Sequence, residues 1–237
     1  MPLVLLLCYN GTAIINRDWL CEHMNEILRM MVPLLEGCRV TVAIFAVTLC
    51  LSIPLGLLLA LARISDIKPL GQAVELYNWI MRGTPLMLQL LFVYFALPSF
   101  GIRLPDVTSA LLAFVLNYAA YFAEIFRAGI QSIPKGQYEA AKTLGFTYAQ
   151  TMRRIVVPQM IKRVLPPIGN ETITLVKDTS LVYVLAMNDL LRAARTIVQR
   201  EFDMTPFFIA ACFYLVMTFV VTSVFNWLER HYARYEE

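Results

Sequence analysis

The sequence predicts an all-α integral membrane protein with about five transmembrane helices, and three observations carry that prediction. Of the 237 residues, 59% are hydrophobic and the mean hydropathy is +0.63, against roughly 45–50% apolar residues in a soluble domain. Residues 40–62, 83–102, 107–123 and 204–228 contain no charged side chain, and each run is near or above the ~17–25 residues that cross a hydrocarbon core as a helix. The third observation is charge asymmetry. Lys and Arg in 63–82, in 127–163 and in the C-terminal tail outnumber those in the other connections, and basic residues in short loops resist translocation. The N-terminus is therefore expected outside and the C-terminus in the cytoplasm. The formal net charge of +3 largely reflects this asymmetry and does not point to nucleic acid.

Taken in order, residues 1–33 read as an extracytoplasmic N-terminal segment. Residues 2–8 are too short to span and have no basic residue ahead of them, which makes a poor signal peptide. In 19–31, Leu20, Met24, Ile27, Leu28 and Met31 share one helical face, so this stretch is either an amphipathic helix at the outer surface or a lead-in to the first span. The transmembrane domain covers 34–228, with spans at about 37–62, 84–102, 107–128, 164–187 and 205–228, and residues 229–237 form a cytoplasmic tail. In RGTP (82–85), Thr84 is expected to cap a helix that starts at Pro85. Ala119, Ala120, Ala123 and Ala128 put small residues on the faces of the third span, allowing close helix approach. Glu124 and Arg127, three apart, are placed to pair along it.

The fourth span differs from the others. NETITLVKDTSLVYVL (170–185) carries Glu171, Lys177 and Asp178 inside an apolar run, where each charge at mid-bilayer costs at least ~2.5–3.5 kcal/mol on insertion scales. Glu171 and Asp178 are seven residues apart and share a face, with Thr174 between them. Asn170 and Lys177 form a neighbouring stripe. Lys177 could pair internally with either carboxylate, but two acids against one lysine leave negative charge over, so a polar cavity along Glu171 and Asp178 is expected. Pro166, Pro167 and Gly169 are expected to disturb the helix just before the stripe.

The segment 129–163 is too ordered to be a mere connector. Residues 139–144 are good helix formers and Gly145 is a natural stop at positive φ. A second short helix is expected from Thr147, with Tyr148, Met152 and Ile155 on one stripe, ending before Pro158. Such short helices need tertiary or partner contacts to persist.

EAAKTLG (139–145) followed by IVVP (155–158) resembles the EAA signature of ABC-importer permease subunits. MRGTPLMLQL (81–90), NYAAYFAEIFRAGIQSIPKGQYEAAKTLG (117–145) and the charged segment are similar to the polar amino-acid permease family. Val157 stands where that signature more often has Leu. The resemblance implies a cytoplasmic coupling helix between the third and fourth spans, in which Glu139, Ala140, Ala141 and Gly145 contact an ATP-binding subunit. It also implies a second permease (a copy or a paralogue), an extracytoplasmic amino-acid-binding protein, and a location in the bacterial inner membrane among lipid. ATP and Mg would be bound by the partner subunit, with no cofactor on this chain. Substrate-site candidates are Glu171, Asp178, Thr174, Lys177, Ser180 and Asn170.

Other chemistries find little support. The five cysteines show no CxxC spacing, His23 and His231 are far apart, and no GxxxxGK[ST] phosphate loop is present, so neither a metal site nor a His-based catalytic centre is expected. An ion-coupled carrier or channel could also use intramembrane carboxylates, although the EAA segment has no role in one. A membrane enzyme would need a nucleophile and base that are not visible.

Overall fold

The computed structural model describes residues 17–233, all of whose regular elements are helical. Helix α1 (Arg17–Arg63) runs for 47 residues through Pro33 and Pro54. Its buried positions recur every three or four residues and are largely small or hydroxylic: Gly37, Thr41, Thr48, Ser52, Gly56 and Ala60. That stripe lets α1 lie against α4 (Asp106–Gln131) at backbone range. A Cβ on Gly56 would sit 2.7 Å from the Phe122 Cβ and 3.0 Å from the Ala119 carbonyl oxygen. The expected small face of the third span is thus used at Ala119, Ala120 and Ala123, which are buried, while Ala128 is exposed.

No break separates residues 17–33 from the first span. The expected outer helix is the leading part of α1, and it buries Met30 and Leu34, while Met24, Ile27 and Leu28 of the anticipated apolar face are exposed. Residues 1–16 lie outside the described part of the chain.

The stretch 63–82, read from sequence as a connection, folds into a 16-residue amphipathic helix, α2 (Lys68–Gly83). It buries Gly71, Val74 and Asn78 and is held by an Arg63–Glu75 ion pair of 2.8 Å. The chain then turns 104° into α3 (Leu86–Leu91), which continues as a π turn (Phe92–Ala96) and a 3-10 turn (Leu97–Phe100). Gly101, at φ +84, closes it.

After α4 come the short helix α5 (Lys135–Thr143), the single turn α6 (Tyr148–Thr151) and a π turn (Met152–Val156). That turn leads straight into α7 (Val157–Asp178). The expected stop before Pro158 does not occur. A proline lacks the N–H that would close the preceding α-turn, and the wider π turn, with the Val157 N–H bonded to the Met152 carbonyl, carries the helix past it. Pro166 and Pro167 likewise sit inside unbroken α7. The irregular backbone lies at the other end, in the 3-10 segment Thr179–Leu185 and at Ala186, φ 58.

Residues 189–203, which join the fourth and fifth expected spans, contain α8 (Leu190–Glu201), which buries Leu190, Ala193, Ala194 and Ile197 against α1 and α9 (Thr205–Ala233). Three helices of the described residues are long and apolar enough to cross a membrane: Glu26–Arg63, Asp106–Gln131 and Thr205–Tyr232. A fourth is reached if α2 and the segment from Leu86 to Phe100 form one bent span. The charged α7 is not among them, so the expected count of five is not reproduced. The main core gathers around α4 and α7, through Phe114, Tyr118, Phe122, Leu175 and Val182.

Candidate functional site: a charged cavity at the helix hinge

The 104° turn is the feature that builds the site. Pro85 forces the residue before it into extended backbone; Thr84 is at φ −120, ψ 147, and α2 must end there. Broken helix leaves carbonyls without partners, and three side chains take them up. The Thr84 hydroxyl donates to the Ile80 carbonyl at 2.8 Å, the Gln89 amide to the Met81 carbonyl at 2.9 Å, and the Asn117 amide to the same carbonyl at 3.0 Å. Gln89 also donates to the Thr84 Oγ1 at 2.7 Å, and Asn117 to the Gln89 Oε1 at 3.0 Å. Thr84 is therefore a hinge residue and not the helix cap expected of it; Pro85 holds the cap position of α3.

Beside this hinge lies a cavity of about 640 Å³. One wall is Arg82, Gly83, Thr84 and Pro85; another is Asn117, Tyr118 and Tyr121 of α4; the third is Glu171, Thr174 and Asp178 of α7. The acidic stripe expected from the seven-residue spacing thus faces one cavity. Asp178 accepts a 2.8 Å hydrogen bond from the Tyr118 hydroxyl. Glu171 has no hydrogen-bond or ion-pair partner among the described residues. On the hinge wall of the same cavity, the Arg82 guanidinium carbon lies 5.3 Å from the centre of the Tyr121 ring, a cation–π contact.

The neighbouring stripe is elsewhere. Asn170 and Lys177 are exposed, Ser180 is half-buried, and none of the three lines this cavity. Lys177 makes no ion pair with Glu171 or Asp178 among the described residues, so the internal pair considered from sequence is not formed. The reason is angular: one residue off the acidic stripe turns a helical side chain by about 100°. Sequence reasoning missed Arg82, Gln89, Asn117, Tyr118 and Tyr121. The available signal was Gln89 and Asn117, lone amides in otherwise apolar runs.

Two smaller cavities adjoin. One of about 480 Å³ is lined by Arg63, Glu75, Asn78, Arg82, Glu124 and Arg127, among others; another of about 380 Å³ touches Arg82, Glu124, Arg163 and Glu171. Glu124 and Arg127 pair as their spacing predicts, the Arg127 Nε donating at 3.0 Å.

In the EAA segment, Gly145 is at φ +77 and ends the helical run. Its N–H reaches the Lys142 carbonyl at 3.0 Å, and the Phe146 N–H reaches that of Ala141, also at 3.0 Å. Thr147 and Gln150 form a reciprocal capping box for the next turn. Glu139, Ala140 and Gly145 are exposed, whereas Ala141 is 1% exposed and anchors α5 to the body. Leu144 and Tyr148, 74% and 70% exposed, flank Gly145 with apolar surface.

A charged cavity beside a broken helix, among helices apolar enough to cross a membrane, fits a transport protein for polar solutes. Comparison with known proteins agrees. A family profile described as "Binding-protein-dependent transport system inner membrane component" matches residues 52–234. A probable amino-acid ABC transporter permease protein, YckA, of Bacillus subtilis is 41% identical over 85% of this chain and 89% of its own length. The L-cystine transport system permease protein TcyB of the same organism is 37% identical over 86% and 88%. A crystal structure of an amino acid ABC transporter with histidines superposes with a TM-score of 0.81 at 36% identity, covering 87% of this chain and 97% of that one. The chain belongs to the binding-protein-dependent transport system inner membrane component family. It is the permease subunit of an ABC importer, a multi-pass inner-membrane translocation component, and membership implies an ATP-binding partner and a binding protein. Nothing in these matches favours an ion-coupled carrier or channel.

Proposed function

We propose that the imported substrate is a polar amino acid and that its ammonium group is held by Glu171 and Asp178. The supporting observation is the cavity onto which both carboxylates open, with Glu171 making no hydrogen bond or ion pair among the described residues. A cation entering there recovers charge-assisted hydrogen bonds that the empty acid wall lacks. The relatives' names agree in substrate class, one being an amino-acid permease and another a cystine permease.

Transport follows by alternating access. The N-terminus lies outside and the C-terminus in the cytoplasm, as the basic residues indicate. Helix α5 docks in the ATP-binding subunit through Glu139, Ala140 and Gly145, with Leu144 and Tyr148 adding apolar area. That subunit binds ATP and Mg, and its closure is transmitted through α5 to α7, whose far end carries Asp178. A second permease, a copy or a paralogue, completes the pathway, and an extracytoplasmic binding protein delivers the substrate. This chain contributes no covalent chemistry.

The test is equilibrium binding of a panel of amino acids to the purified chain in nanodiscs, repeated with Glu171→Gln and Asp178→Asn. One or more ligands are expected to bind wild type and to be lost in the variants, with an unchanged size-exclusion profile. Equal binding by both variants would sink the proposal and leave selection to the binding protein.

A further inference from the structure

We infer that Arg82 recognises the substrate's α-carboxylate, so that this chain selects for intact α-amino acids and against the corresponding amines. The inference rests on the amino-acid reading above and adds the other half of the ligand. The cavity is acidic on its α7 wall and basic on its hinge wall, where Arg82 is the one cationic lining residue among the described residues. A zwitterion laid across it meets the opposite charge at each end.

Three features of Arg82 fit this role. It makes no ion pair among the described residues, while Arg63 and Arg127 are committed to Glu75 and Glu124. Its guanidinium is positioned by the Tyr121 ring at 5.3 Å. A guanidinium held beside a ring in this way keeps its N–H donors, the fork that matches a carboxylate in bidentate fashion. Its place in the chain is also fixed: it sits in the last turn of α2, one residue before Gly83, at the hinge that Gln89, Asn117 and Thr84 hold. Around Gly83 nothing lies within 4 Å of where a Cβ would be, so the wall beside the guanidinium is open to a ligand.

The experiment compares amino acids with analogues that lack the carboxylate, by equilibrium binding to the full chain in nanodiscs. The pairs are L-arginine with agmatine, L-cystine with cystamine, and L-glutamine with 4-aminobutanamide. For whichever amino acid binds, wild type is expected to prefer it over its analogue by about 10- to 100-fold, the worth of a charge-assisted contact. In Arg82→Gln that ratio falls to about one; in Arg82→Lys it is reduced but stays above one, since the charge remains and the fork is lost. Equal affinity within a pair in wild type overturns the inference with no variant needed. So does a ratio that survives in Arg82→Gln protein eluting like wild type. If amino acids bind and depend on Glu171 while the ratio ignores Arg82, the amino-acid reading stands and this inference falls. If no amino acid in the panel binds, both fall together.

Discussion

Two sets of carboxylates in this chain, one buried and one half-buried, are used in opposite ways. Asp189, at the start of α8, is 0% exposed and spends its oxygens on the fold, accepting from the backbone N–H groups of Leu191 at 3.1 Å and Arg192 at 3.2 Å. Around it the packing is closed. A Cβ on Gly37 would lie 2.7 Å from the Asp189 carbonyl oxygen, and the Leu190 N–H donates to the Thr41 hydroxyl at 3.2 Å. Glu171 and Asp178 show the reverse. Between them the described structure provides one hydrogen bond, from Tyr118, and a cavity takes the remaining acceptor capacity. A carboxylate with both oxygens engaged by its own backbone holds a helix in place. One with acceptors left over beside a cavity is available to a ligand.

The sharpest way to break this comparison is to neutralise one acid from each set. Asp178→Asn is expected to weaken amino-acid binding by roughly 30-fold or more, the loss of about 2 kcal/mol for removing one partner of a desolvated charge contact. Asp189→Asn is expected to leave binding unchanged, because Asp189 lines no part of the cavity. Isothermal titration on both variants decides it, and equal losses would erase the distinction.

Closure around Asp189 predicts the next effect. Gly37→Ala forces a methyl against backbone atoms of Asp189 and Leu190, which have no rotamer to give. It is expected to cost about 1–3 kcal/mol of stability, as overpacking does, read as a lower melting temperature in detergent. Asp189→Ala removes the cap and is expected to cost about 1 kcal/mol.

A pH series sharpens the same point. Burial pushes the Asp189 carboxyl up from the usual carboxylate range to about 6. The native state therefore holds this proton more tightly than the unfolded chain does. The site's stability is fully present below the unfolded pKa near 4 and is lost as pH rises through about 6. The melting temperature of wild type relative to Asp189→Asn should fall across that window; a flat difference would contradict the burial. The smallest effect is expected at Lys177→Gln. The side chain is exposed and lines no part of the cavity, so stability should stay within about 0.5 kcal/mol and binding should be unaltered.

Tyr118 links the sequence to the structure in this contrast. Nothing in NYAAYF (117–122) distinguishes a tyrosine whose hydroxyl meets Asp178, sixty residues on, from one packed in a core. The acidic stripe itself was legible, because helical periodicity fixes which residues share a face before any packing is known. So was the stop at Gly145, since a positive φ at a helix end is a local demand. Helices α2 and α8 were not. Their sequences carry enough charge to read as connections, and their apolar faces gain meaning only once α1, α4 and α9 are there to cover them.

The sequence alone determined the helical membrane character of the chain, the placement of most apolar segments, the acid stripe Glu171–Thr174–Asp178 and the family signature around Gly145. All of these are written in runs, periods and short motifs that act over one or a few turns. The tertiary structure decided which side of α7 faces a cavity. It turned RGTP from an apparent helix cap into a hinge sealed by Gln89 and Asn117, left Lys177 outside the cavity, and set Arg82 on the cavity that the acids line. Those outcomes depend on distances between residues remote in the chain, such as the Asn117 contact with Met81 thirty-six positions earlier. Charge and hydrogen-bonding capacity can be read from a sequence, but whether a group's partner is its own backbone, a neighbouring helix or a ligand is settled only when the helices pack.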